Sequence, residues 1–125
     1  MTERLEFEIP GKPVVQKRPI VLRRGWTIDP NSKDKKRIGL LATVARQNAG
    51  NGLFRPDYKG KVGLRLSFFG CRSNADISNY VKLIEDSCNK ILWYDDCQIT
   101  ALNAFKVPCD KGEEGTTVEV YVPDL

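Results

Sequence analysis

The chain has 125 residues, 41% hydrophobic and 29% charged, with a formal net charge of +4; that length suits one domain around one core, and no apolar run approaches the ~20 residues of a membrane-spanning helix. Histidine is absent, which removes Ser-His-Asp and Cys-His nucleophiles, a histidine general base and His-liganded zinc. Chemistry has to come from carboxylates, lysine, hydroxyls, thiols or a metal held by carboxylates.

Leu5, Phe7 and Ile9 alternate with polar residues and predict a strand over Arg4–Ile9. Pro10, Gly11 and Pro13 interrupt it. Lys12, Lys17, Arg18, Arg23 and Arg24 follow, spaced by Pro13, Pro19 and Gly25, and predict a hairpin-like or irregular basic loop. A helix is expected up to about Ala49, with Asp29 as cap and Pro30 at its first position, or with Asn31 or Ser32 as the cap instead. Ile38, Leu41, Ala42, Ala45 and Ala49 form its apolar stripe. Its first turns carry Lys33, Lys35, Lys36 and Arg37 against the helix dipole; such charges either serve a partner or form a solvated face. Gly50, Gly52, Pro56 and Gly60 mark a loop, and Val62, Leu64, Leu66 and Phe68 a second strand ending at Gly70.

Asp76 precedes an amphipathic helix of about Ile77 to Leu92, with Ile77, Tyr80, Val81, Ile84, Cys88 and Ile91 on one buried stripe. A short turn with Asp95 and Asp96 leads into a strand over Ile99–Val107, with Ile99, Ala101, Phe105 and Val107 on one face. A Pro/Gly turn precedes the last strand, Thr116–Val122. The order β-α-β-α-β-β predicts an α+β fold, a small mixed sheet with two helices packed on it, in a single domain over residues 1–125.

Charge is unevenly spread. Residues 1–66 hold 15 Lys and Arg against 6 Asp and Glu, and residues 67–125 hold 5 against 10. A basic half beside an acidic half suits a protein that grips a polyanion and concentrates carboxylates, or else is an uneven solvated surface. Cys71, Cys88, Cys97 and Cys109 follow no C-x-x-C spacing. The acidic start is no secretion signal, so free thiols in a cytoplasmic protein are expected. A zinc-stabilised interaction domain using all four cysteines is an alternative.

The segment from Asp76 to Asp96 concentrates polar side chains. Ser78, Asn79, Lys82 and Asp86 fall opposite the apolar stripe. Lys82 and Asp86 are spaced i, i+4, which predicts a surface salt bridge unless the residues serve chemistry. Asp95 and Asp96 sit where the chain re-enters the core. Adjacent carboxylates there cost energy unless a cation neutralises them, and Mg²⁺ prefers one or two carboxylates with waters and substrate phosphate. Such a site readies water for attack on a phosphodiester, and a lysine nearby stabilises the charge that develops.

"GKPVVQKRP" at 11–19, "DP" with the basic helix after it at 29–37, and "ADISNYVKLIEDSCNKILWYDDCQI" at 75–99 resemble the RusA family of Holliday junction resolvases. The last segment is similar to the family's D-x-D-N-x-x-K … D … DD-x-Q signature. The resemblance implies a homodimer, Mg²⁺- or Mn²⁺-dependent paired nicking of four-way DNA junctions, a role in recombination and repair, and frequent phage or prophage origin. It makes Asp76, Lys82 and Asp96 the catalytic residues, with Ser78, Asn79, Asp86 and Asp95 in support and Gln98 at the signature's glutamine. Asp76, Asp86, Asp95 and Asp96 are the metal candidates. One position departs: Ser78 stands where the pattern has its second aspartate. Either Asp86 or Asp95 completes the site, or metal affinity is low, or the chain is an inactive module that binds branched nucleic acid. Junction contacts are expected from Lys12, Lys17, Arg18, Arg23, Arg24, Lys33, Lys35, Lys36 and Arg37. Trp26 in the basic loop offers a face for an unpaired base, and Trp93 is expected in the core or a dimer interface.

Overall fold

The structure is a computed structural model that describes residues 3–50 and 52–124. Its main sheet holds four strands in the order β1-β6-β4-β5: β1 (Arg4–Pro10), β6 (Gly115–Tyr121), β4 (Val62–Phe69) and β5 (Ile99–Val107). β6 runs antiparallel to both β1 and β4, while β4 and β5 are parallel. A parallel pair cannot be closed by a tight turn, and helix α2 (Ile77–Cys88) makes the crossover. Helix α1 (Ser32–Asn48) lies against α2 and β1. Two short strands, β2 (Ile20–Val21) and β3 (Thr27–Ile28), pair as a separate hairpin. The expected α+β architecture and element order are present. Among the described residues, no helix is long and apolar enough to cross a membrane.

Register explains the core. Leu5 pairs with Val120, Val120 with Leu64, and Phe7 with Val118, so alternate residues of three strands share one face. That face is buried under Ile38 and Ala42 of α1 and Tyr80, Val81, Leu83, Ile84 and Cys88 of α2. Gly39 permits the close approach of α1, since a Cβ there would lie 3.0 Å from Ile91 Cδ1.

Three local expectations are settled or corrected. First, of the expected caps Asp29, Asn31 and Ser32, it is Asn31 that holds the cap position, and α1 begins at Ser32. Asp29 instead accepts the Asn31 backbone N–H at 2.9 Å. The buried Asn31 side chain accepts from Lys17 N–H at 2.7 Å and donates to Val15 O at 3.1 Å, tying the extended segment before β2 to the helix start.

Second, α2 stops at Cys88, four residues before the expected end at Leu92. Lys90 takes a left-handed φ of 66° and donates its N–H to Trp93 O at 2.9 Å. The tight loop keeps Leu92 and Trp93 buried, so the apolar pattern continues past the end of the helix.

Third, β5 does not present one apolar face. A register shift between Val62 and Gly63 sets Ile99 opposite core-facing Val62, but Ala101 opposite Gly63. Ala104, opposite Leu66, packs on the core, while Phe105 is 51% exposed.

Candidate active site

Helix α2 positions the polar residues. Ser78, Lys82 and Glu85 are spaced i, i+4 and i+7 and so line one strip, with Asn79 and Asp86 beside it. Lys82, Ser78 and Asn79 are exposed, and Glu85 and Asp86 half-buried. The expected Lys82–Asp86 salt bridge does not form. Asp86 turns to the segment before β2, where Gln16 Nε2 donates to its Oδ2 at 2.8 Å, and Lys35 Nζ lies 4.0 Å from the same oxygen. The Gln16 backbone N–H donates to Asn79 O at 3.0 Å, which pins that segment across α2. Lys82 is in no ion pair among the described residues, so its ammonium faces solvent beside the acids.

Asp96 begins a single 3-10 turn, Asp96–Gln98, just before β5. Its Oδ1 accepts the indole N–H of Trp93 at 2.8 Å, and Trp93 is fully buried. No other hydrogen bond reaches this carboxylate among the described residues, which leaves Oδ2 for another partner. Burial raises the Asp96 pKa and Asp86 and Asp95 add to the rise, while the Trp93 N–H and the Lys82 ammonium oppose it. Burial likewise raises Glu85, with Asp96 and Asp86 pushing in the same direction and Lys82 against. Lys82, Glu85, Asp86 and Asp96 therefore form one electrostatic cluster. Glu85 belongs to it, although only its spacing from Lys82 marks it in the sequence.

Asp76 stands apart, at the N-cap of α2. Ten residues of helix at ~1.5 Å each put about 15 Å of rise between it and Asp86. Asp95 is exposed, and Gln98 organises the turn around it. Gln98 Oε1 accepts the Asp95 backbone N–H at 2.7 Å, and its Nε2 donates to Tyr58 O at 2.8 Å and Gly60 O at 2.7 Å. The signature glutamine thus fastens the loop before β4 to the acidic turn.

Of the nine basic candidates, Lys12, Lys17, Arg18, Arg23, Arg24, Lys33, Lys36 and Arg37 are exposed. Lys35 differs: it is turned inward, 2.7 Å from Asp29, whose carboxyl it holds below the usual range with help from the Asn31 backbone N–H. Arg37 donates to Pro10 O. Trp26 stands at the tip of the β2–β3 hairpin, 72% exposed. A turn closed by Gly25, at φ 79°, presents it there.

The donor chemistry suits a hard divalent cation. Asp96, Glu85 and Asp86 offer carboxylate oxygens whose mutual repulsion a cation relieves. Among the described residues, no group of three His, Cys, Asp or Glu is placed to hold an ion; a cation held here by one or two carboxylates would need waters and phosphate oxygens as its other ligands, as is usual for Mg²⁺. The four cysteines do not gather into a zinc site. Cys88 is fully buried, with its thiol pushed up to about 12 by burial, whereas Cys97 is exposed.

Compared with protein families, residues 10–121 match the family described as endodeoxyribonuclease RusA. No curated protein matches the chain.

Proposed function

We propose, for a chain that belongs to the endodeoxyribonuclease RusA family, a divalent-metal-dependent nuclease that resolves four-way DNA junctions by paired, symmetric nicks in recombination and repair. The observation that carries this reading is the cluster at the C-terminal half of α2, where Asp96 is aimed by Trp93 and Lys82 is left without a carboxylate partner.

In this reading Asp96 holds Mg²⁺ or Mn²⁺ together with Glu85 or Asp86, and Asp95 lies next to it in the turn. The ion supplies a Lewis acid for a phosphate oxygen and a more acidic water. Lys82 places its ammonium against the scissile phosphate and offsets the negative charge that grows as the phosphodiester is attacked. Gln16 and Lys35 hold Asp86, and with it the segment before β2, across α2. Asp76, at the start of α2, would add a further carboxylate to the site. A two-fold homodimer gives one junction two active sites. The exposed basic residues of the hairpin and α1 grip the phosphates of the arms, and Trp26 stacks on a base unpaired at the crossover.

The test is a labelled four-way junction incubated with Mg²⁺ or Mn²⁺ beside a linear duplex of the same sequence. Symmetric nicks in opposite strands of the junction, with the duplex intact, are expected. A folded dimer that nicks neither substrate in either metal would sink the reading.

Ser78 favours a second reading, a weakened enzyme that mainly binds junctions. A hydroxyl is a poor Mg²⁺ ligand beside a carboxylate. Ser78→Asp is expected to tighten Mn²⁺ binding and raise the nicking rate ~10-fold or more, or ~1.4 kcal/mol. An unchanged rate, in a wild type that already nicks, dismisses the weakened-enzyme reading.

A further inference from the structure

Lys59 and Lys90 converge on one aromatic ring. The Lys90 Nζ lies 4.1 Å and the Lys59 Nζ 4.9 Å from the centroid of Tyr94. The ring is 48% exposed and immediately precedes Asp95 and Asp96. Neither ammonium is in an ion pair among the described residues, although two carboxylates follow in the chain. Like charges gathered on an exposed ring repel each other, and a bound anion relieves that repulsion.

The backbone holds the arrangement in place. Lys90 takes its φ of 66° in a region that suits glycine, so a lysine there costs stability that a glycine would not. Lys59 lies between Tyr58 and Gly60, whose carbonyls the Gln98 amide holds at 2.8 and 2.7 Å. The Tyr94 N–H donates to Tyr58 O at 3.0 Å. Three stretches of chain therefore meet where the two ammonium groups and the ring lie, in the segment that leads into the acidic turn. None of the basic residues of the hairpin or α1 takes part.

We propose that Lys59, Lys90 and Tyr94 form a DNA-backbone subsite that takes a phosphodiester of the bound junction beside the acidic turn. The inference rests on the nuclease reading above, since it places the subsite next to the strand that Asp96 acts on. Lysine suits such a site because it binds phosphate as a compact point charge and tolerates any base sequence. The Tyr94 face keeps both charges at the surface and is open to a sugar or base edge.

The experiment measures binding of a labelled four-way junction in EDTA over a series of NaCl concentrations. The variant is Lys59→Ala with Lys90→Gly, in which the glycine relieves the left-handed backbone and protects the fold. Each phosphate contact contributes about 0.9 to the slope of log affinity against log salt. The double variant, losing one phosphate contact, should therefore lose roughly 0.9 from that slope and bind ~8-fold more weakly near 0.1 M salt. Lys59→Arg with Lys90→Arg should keep most of the slope. Arg4→Ala with Lys111→Ala removes the same charge elsewhere and should leave the slope nearly as in wild type. A Lys59→Ala/Lys90→Gly protein that matches this control, beside a wild type that binds junctions, overturns the subsite alone. A wild type that binds no DNA overturns the nuclease reading and the subsite with it.

Discussion

Asp96→Asn is expected to lower junction nicking by at least ~10³-fold, about 4 kcal/mol of transition-state stabilisation, with junction affinity in EDTA changed only a few-fold. The amide still accepts the Trp93 N–H that meets Oδ1 at 2.8 Å, so the turn keeps its shape. What is lost is the negative charge that a divalent cation needs from this position. The same substitution should make the metal-free protein more stable at neutral pH. Burial, Asp86 and Asp95 raise the Asp96 pKa, against the pull of Trp93 and Lys82. A carboxyl whose folded pKa is raised contributes stability below its unfolded pKa, and that contribution is lost as pH rises through the folded value. At pH 7 the ionised carboxylate is thus a net cost that asparagine lacks. Thermal melts in EDTA should show a higher Tm for Asp96→Asn at pH 7. The gap should close on acidification below about pH 4, where an unfolded aspartate is also protonated. Single-turnover nicking and melts on one preparation check both halves. Wild-type cleavage by the variant would remove Asp96 from the chemistry.

How much of this was legible beforehand depends on the range of each interaction. The stripe from Tyr80 to Cys88 and the alternation of β1 and β4 are periodic signals, and the fold follows them. The end of α2 was not legible, because Leu92 and Trp93 stay buried through the loop and apolar periodicity continues where hydrogen bonding stops. The β5 face was not legible either: one register shift beside Val62 exchanges the sides of every residue after Ile99. At the site, the resemblance to the RusA signature singles out Asp76, Lys82 and Asp96, but how the chain folds Asp96 back toward α2 is a matter of three dimensions. Gln16 reaches Asp86 across 70 residues of sequence, and no local pattern announces such a pair. Lys35 looked like its basic neighbours in a charge count, yet it is the one held by Asp29 and Asp86. Glu85 differs from a solvated acid because the fold buries it in part, and because the loop after α2 brings Asp96 back to add to the rise in its pKa.

Trp93→Ala should cost about 3–5 kcal/mol of stability, the usual range for deleting a buried tryptophan. Trp93 is completely buried, and a domain of this size holds only about 5–15 kcal/mol in all. The loss should appear as a lower urea midpoint with an unchanged slope. Trp93→Phe separates packing from aim. It keeps most of the apolar volume but removes the N–H that engages Asp96 Oδ1 at 2.8 Å. A tryptophan that only fills the core predicts that nicking falls no further than folding does. A tryptophan that orients Asp96 predicts a nicking rate reduced ~10-fold or more in protein that is folded and binds junctions normally, about 1.4 kcal/mol at the transition state. A double-mutant cycle distinguishes the two. In an Asp96→Ala background no carboxylate remains for the indole, and Trp93→Phe should cost only its packing. The difference from its cost in wild type should be about 1–3 kcal/mol, as for a hydrogen bond to a charged group. Because Trp26 is exposed on the hairpin, Trp26→Phe leaves Trp93 as the sole indole reporter. Blue-shifted emission from that protein, moving to the red on unfolding, follows the burial of the side chain that aims the proposed catalytic carboxylate. A cycle that closes with no coupling energy would leave Trp93 a core residue and nothing more.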